Sequence, residues 1–135
     1  MAVWIFTGNE EDADWKAYLD AMITGSRYAQ EASQRPLFVV QIVDPDSPVP
    51  SARWRRAIAG ASSRVPSQVF FILVSESLAV RAVSTALSWL RAPSYEETSV
   101  ASLEEAAEVM EQRRSGARAC LMRLERETRA SVRAR

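Results

Sequence analysis

The chain has 135 residues, enough for one domain with a buried core, and its 17 basic and 17 acidic residues give a formal net charge of zero. It contains no histidine and a single cysteine, Cys120, which excludes a Ser-His-Asp or Cys-His apparatus, removes the commonest zinc ligand and rules out an internal disulfide. No apolar run is long enough to cross a bilayer and no cleavable leader opens the chain, so a reducing cytoplasm is the expected compartment.

Three apolar segments recur along the chain: Val3-Trp4-Ile5-Phe6, Phe38-Val39-Val40-Gln41-Ile42-Val43 and Val69-Phe70-Phe71-Ile72-Leu73-Val74. Each ends in small or acidic residues and is followed by an amphipathic helical pattern. Such strands are covered on both faces, and their alternation with helices predicts an α/β fold with a four- or five-stranded, mostly parallel sheet. The first helix is expected from about Asn9 to Thr24, with Asn9 as cap and Glu10, Glu11 and Asp12 at the positive end of its dipole. Trp15, Tyr18, Leu19, Met22 and Ile23 form its apolar stripe, and Gly25 stops it unless Tyr28 and Ala29 add a turn. Arg35-Pro36 then delivers an extended chain to the second strand.

The loop from Asp44 to Pro50 holds three prolines, which forbid helix and most ladder bonds. Ser51 caps a second helix that buries Trp54, Ile58 and Ala61, exposes Arg53, Arg55 and Arg56, and ends between Gly60 and Pro66. A third helix, capped by Ser75 or Ser77, buries Leu78, Val83, Leu87 and Leu90 and is stopped by Pro93. Thr98 to Ala101 reads as a short edge strand. Ser102-Leu103-Glu104-Glu105 is a capping box opening a helix with Leu103, Ala106, Ala107 and Met110 on one side.

Charge divides the chain. Residues 1–112 hold nine basic and fifteen acidic residues, a net of −6, whereas residues 113–135 hold eight arginines and two glutamates, a net of +6. The basic segment predicts a long last helix, bent at Gly116, with a thin stripe of Ala117, Leu121, Leu124 and Thr128. It is expected to pack on an acidic protein partner, on a second copy as a homodimer, or on its own acidic body. Nucleic acid is not expected, since the segment lacks lysine and aromatic residues, and membrane insertion would need bulkier apolar residues.

Several local patterns carry a family likeness. They are Phe6-Thr7-Gly8 ahead of Trp15-Lys16-Ala17-Tyr18-Leu19, the Val43-Asp44 strand end before a Pro/Ser loop and an arginine-rich helix start, and Ser75-Glu76-Ser77-Leu78-Ala79-Val80-Arg81-Ala82-Val83 followed by Leu87-Ser88-Trp89-Leu90. The last is Ser102-Leu103-Glu104-Glu105-Ala106. Together these resemble the SpoIIAA-like domains, relatives of the STAS anti-sigma-factor antagonists that are also compared with the CRAL-TRIO lipid-binding fold. The resemblance covers roughly residues 2–112, making 1–112 the domain and 113–135 an arginine-rich helical extension. It implies a bacterial, non-enzymatic protein-interaction module without a cofactor, built on a sheet with helices packed on one side. STAS antagonists carry a phosphorylatable serine within Asp-Ser-Ser-Gly. In the matching region, Asp44 to Pro48, only Asp46-Ser47 agrees, so Ser47 is a candidate phosphosite in an altered context.

Ligands of open α/β sheets tend to sit beyond the carboxyl ends of the strands, which here offer Thr7, Asn9, Asp44, Asp46, Ser47, Glu76 and Ser77. Asp44, Asp46 and Glu76 could hold a hard cation in a carboxylate-based enzyme. Ser51, like Ser47, could accept phosphate at a helix N-terminus, or serve only as a cap. Asp44, Asp46, Arg53, Arg55 and Arg56 form the candidate interaction loop and helix. Trp15, Trp54 and Trp89 could line a small-molecule or lipid pocket, or belong to the core. The leading expectation is an interaction module working through residues 44–56 and the C-terminal helix, with the carrier and then the enzyme as alternatives.

Overall fold

Four strands, β1 (Ala2–Phe6), β2 (Leu37–Val43), β3 (Val69–Val74) and β4 (Glu96–Val100), form a single all-parallel sheet in the order β1-β2-β3-β4. This is a computed structural model, and it describes residues 1–32, 37–90 and 95–134, with the side chains of residues 26, 28–30, 32 and 88–90 outside the description. The expected Arg35-Pro36 entry and Pro93 stop lie outside the described residues, as does the side chain of Leu90, expected to be buried. The central strand β3 is buried at all six positions, as its unbroken apolar run requires. No helix among the described residues is long and apolar enough to cross a membrane.

The connections are α1 (Asp12–Ala32), α2 (Ala52–Ser62) and α3 (Leu78–Leu90). Each step moves one strand over in the same direction, and parallel crossovers are right-handed, so all three helices fall on one face. That face carries Phe6, Val39, Val43, Val69, Phe71 and Leu73, packed against Trp15, Tyr18 and Met22 of α1, Trp54 and Ala61 of α2, and Val80 of α3. The opposite face, with Phe38, Val40, Ile42, Phe70, Ile72 and Val74, would be bare. It is covered by α4 (Leu103–Arg113) and α5 (Ala117–Arg133) through Ala106, Ala107, Met110, Ala117 and Leu121. Helices thus cover both faces, not one as the family resemblance implied, because the one-way strand order leaves a second apolar face to bury.

Several boundaries move for local reasons. The Glu10 carboxylate accepts hydrogen bonds from the N–H groups of Thr7 and Gly8, so it closes the β1 turn and the helix begins later than Asn9. Asp14 accepts from the Glu11 N–H at 3.0 Å, placing the cap at Glu11. Gly25 does not stop α1, which continues to Ala32. Its backbone is not in the left-handed region, and a Cβ there would meet nothing within 4 Å. Gly25→Ala is accordingly expected to stabilise the protein by about 0.5–1 kcal/mol, read as a rise in the urea midpoint; a drop would show that the helix is interrupted there.

Ser51 and Ser102 cap α2 and α4 as expected, and of the two candidates for α3 it is Ser77 whose hydroxyl accepts from the Val80 N–H, at 3.3 Å. Leu78, expected to be buried, is 76% exposed, because the inward stripe of α3 runs through Val80, Val83, Ser84 and Leu87 instead. The expected long C-terminal helix is α5, but it does not bend at Gly116: α4 ends at Arg113 and α5 starts at Ala117. Gly116, at φ +83°, turns the chain between them, and the Glu111 carboxylate accepts from the N–H groups of Gly116 and Arg118 at 2.9 Å each, supplying the cap that glycine lacks.

Candidate functional site

The strand-end rim, where the sequence placed its ligand groups, is largely engaged by the protein itself. Asp44 is held by both terminal nitrogens of Arg129, at 2.9 and 3.1 Å, and Arg129 also pairs with Glu125. The hydrogen bonds to Asp44 push the arginine further up in pKa, over the opposing effect of partial burial. Glu10 holds the β1 turn, and the Ser75 carbonyl accepts from Arg81 at 2.6 Å. Asp46 and Glu76 are exposed, and no group of three acidic or cysteine side chains able to hold a metal occurs among the described residues. Asp44, Asp46 and Glu76 therefore do not come together.

The other candidates separate likewise. The Ser51 hydroxyl accepts from the Trp54 N–H, the role of an ordinary cap, whereas Ser47 is 8% exposed, its N–H bonded to the Asp44 carbonyl. Gly8, at φ +92°, lies against this loop so closely that a Cβ would come within 3.2 Å of both Ser47 and Pro48. Arg53 pairs with Asp12 at 2.9 Å and lies over the Trp54 ring. Arg55, expected to be exposed, is half-buried and donates to the Pro50 carbonyl at 2.7 Å; Arg56 is exposed. Trp15 stacks between Phe6 and Trp54, with ring centres 4.9 and 5.8 Å away. The side chain of Trp89 lies outside the described residues.

One feature of the first face is not filled. Among the described residues α2 and α3 make next to no contact with each other, and a cleft of about 100 Å³ remains between them over β2, β3 and β4. Its walls are apolar and aromatic, with Phe6, Trp15, Phe71, Leu73, Val83 and Leu87; Trp54 is not among the residues lining it. The cleft runs along the strands. Glu10, Ser47, Pro48, Pro50 and Arg55 stand at the carboxyl end, and Ser62, Ser84, Tyr95 and Glu97 at the amino end.

The amino end is where polar groups converge. The Tyr18 hydroxyl donates to Gln41 Oε1 at 2.9 Å, and the Ser84 hydroxyl donates to Glu97 Oε1 at 2.8 Å. Tyr95 meets the Ser62 hydroxyl. Burial pushes the Glu97 carboxyl above the usual carboxylate range, over the smaller opposing effect of Ser84. Burial likewise pushes the Tyr18 and Tyr95 phenols up, and the nearby Glu97 adds to both. A carboxyl, two phenols, an amide and two hydroxyls thus line the middle and amino end of a mainly apolar and aromatic cleft, the arrangement by which a small-molecule site is ordinarily recognised.

Glu97 has a measurable signature. A carboxyl whose folded pKa is raised contributes stability that is present below its unfolded pKa and lost as pH rises through the folded value. Glu97→Gln is expected to raise the melting temperature at neutral pH and to leave it nearly unchanged at about pH 3.5, below the ordinary Glu value of about 4.3. An equal shift at both pH values would place that carboxyl in water.

Of this cleft the sequence pointed to Trp15 as a pocket residue, and to Ser47 and Arg55 in other roles. Gln41 had a signal, as the one polar residue inside a strand covered on both faces, and Glu97 another, as an acidic residue opening an edge strand. Compared with family models, with curated proteins and with solved structures, the chain matches none.

Proposed function

We propose that this domain binds a small organic molecule in the cleft between α2 and α3. The observation that carries the reading is the presence of Tyr18, Gln41, Ser84, Tyr95 and Glu97 along an aromatic-lined space that the described side chains do not fill. Cores pack to crystal density, so a cleft of this size beside buried polar groups calls for an occupant. A volume of about 100 Å³ suits a ring-sized ligand or the end of a larger one. This accords with the carrier reading and with the lipid-binding side of the SpoIIAA-like resemblance, a kinship that is itself a proposal.

The geometry favours it over an interaction module built on residues 44–56 and α5. Arg53 and Arg55 have partners within the chain, and the apolar stripe of α5 lies on the sheet. It also favours it over a carboxylate-based enzyme at the strand ends, where Asp44 is held by Arg129.

Native mass spectrometry of protein purified without denaturation tests the reading. A small adduct is expected, and Val83→Trp, which fills the cleft from α3, should lose it. A wild-type protein without adduct, whose cleft amides move with no member of a fragment library in NMR titrations, would overturn the proposal.

A further inference from the structure

The charges around the cleft are unevenly placed. Among the described residues that line the cleft toward its amino end, the titratable groups are acidic: Glu97 on β4, Tyr95 just before it, and Tyr18 on α1, all three pushed up in pKa chiefly by burial. Neither α3 nor β3 brings a cation there among the described residues. Arg55 is the one cationic residue described in the cleft wall; it lies at the carboxyl end of the strands, near Glu10, and donates to the Pro50 carbonyl. Among the described residues Glu97 accepts a hydrogen bond from the Ser84 hydroxyl at 2.8 Å.

The rest of this end combines aromatic rings with hydroxyls and an amide. Phe71 lies directly across from Glu97 in the β3–β4 register, and its ring centre is 6.0 Å from that of Tyr95. Aromatic faces attract cations, and a partly desolvated carboxylate gains most from a charged donor. An anion placed here would meet the Glu97 carboxyl with no cation beside it among the described residues lining this end.

We infer that the cleft selects a small organic cation, an aromatic or alkyl amine whose ammonium group sits against Glu97 with its apolar body along Phe71 and Trp15. The inference rests on the cleft being a binding site, and Glu97 is its charge anchor. Binding such a ligand draws Glu97 into its ionised form, so a negative charge that is unfavourable in the empty cleft becomes favourable in the complex. No bond is made or broken.

Three matched probes separate this inference from the reading beneath it. NMR titration of the labelled full chain at neutral pH would compare benzylamine, benzyl alcohol and benzoate, which share a ring and differ in charge. Benzylamine is expected to move the amides of Phe71, Ser84 and Glu97 and to bind about tenfold more tightly than the alcohol, the worth of one charge-assisted contact. Glu97→Gln should remove the preference for the amine over the alcohol, and unchanged amide shifts outside the cleft show that the variant is folded. If the alcohol or benzoate binds as well as the amine, or the variant keeps the preference, the cation inference is overturned and the cleft stands. If none of the three binds at the cleft, the cation inference is overturned, and the binding reading is decided separately by the adduct and the fragment library.

Discussion

Leu121→Ala is expected to destabilise the protein by about 3 kcal/mol, because it empties a site with no solvent exposure at the centre of the second core. Leu121 lies on α5, in the arginine-rich segment that charge sets apart from the rest of the chain. It belongs to the core cluster with Met110 and Ala117, and α5 lies against β1 and α4, so the cavity would open between a helix and a rigid sheet that cannot collapse onto it. Val132→Ala, on the same helix but at 40% exposure, is expected to change stability by less than about 0.5 kcal/mol. Urea unfolding of both variants checks the pair. Similar small effects would mean that α5 does not rest on the sheet in solution, and that residues 113–135 are an appendage after all.

The contrast matters because the tail's charge also has a local explanation. Arg118 pairs with Glu104 at 2.6 Å, Arg129 with Asp44 at 2.9 Å, and Arg113 with Glu96 while lying over the Phe70 ring. Exposed pairs of this kind contribute little individually, so the apolar contacts and not the ion pairs are expected to hold α5 in place. The acidic body and the basic tail are, in this arrangement, one surface. A homodimer through α5 would have to use a face other than the stripe of Ala117 and Leu121.

The second large effect is expected at Trp15. Trp15→Ala should cost about 4 kcal/mol, since the ring is 9% exposed and stacked between Phe6 and Trp54. It would also widen the cleft toward Trp54, so a stabilised background carrying Gly25→Ala suits the measurement. Trp15→Phe keeps a ring in the stack and is expected to lose less than half as much. Denaturant midpoints and near-ultraviolet circular dichroism would report both changes. A loss near 1 kcal/mol for the alanine variant would mean that the stack contributes little and that α1 is held by other residues.

Much of the architecture was legible. The apolar runs at 3–6, 38–43 and 69–74 predicted parallel strands, the Ser51 and Ser102 caps predicted helix starts, and Thr98 to Val100 falls within the edge strand. These signals are local: periodicity and capping chemistry act within a few residues and survive in any packing. The errors were also local in origin. Asn9 and Gly25 looked like helix limits because their types favour such places, but Glu10 was engaged by the turn and the packing of α1 overrode one glycine.

The site was far less legible. Tyr18, Gln41, Ser84, Tyr95 and Glu97 come from four elements and are separated by up to 79 positions between Tyr18 and Glu97. No spacing rule links them. Asp44, Asp46 and Glu76 made a plausible set because each follows a strand, yet a residue 85 positions away, Arg129, claims Asp44.

By itself the sequence determined the order of strands and helices, the burial of the central strands and the opposed charge of the two segments, since each is a property of neighbouring residues. Which face each helix covers, that the basic segment completes the second core, and that a carboxyl and two phenols meet above the sheet were decided only by the tertiary structure. The hand of the crossovers and the strand register bring distant residues together, and neither is written in any local pattern.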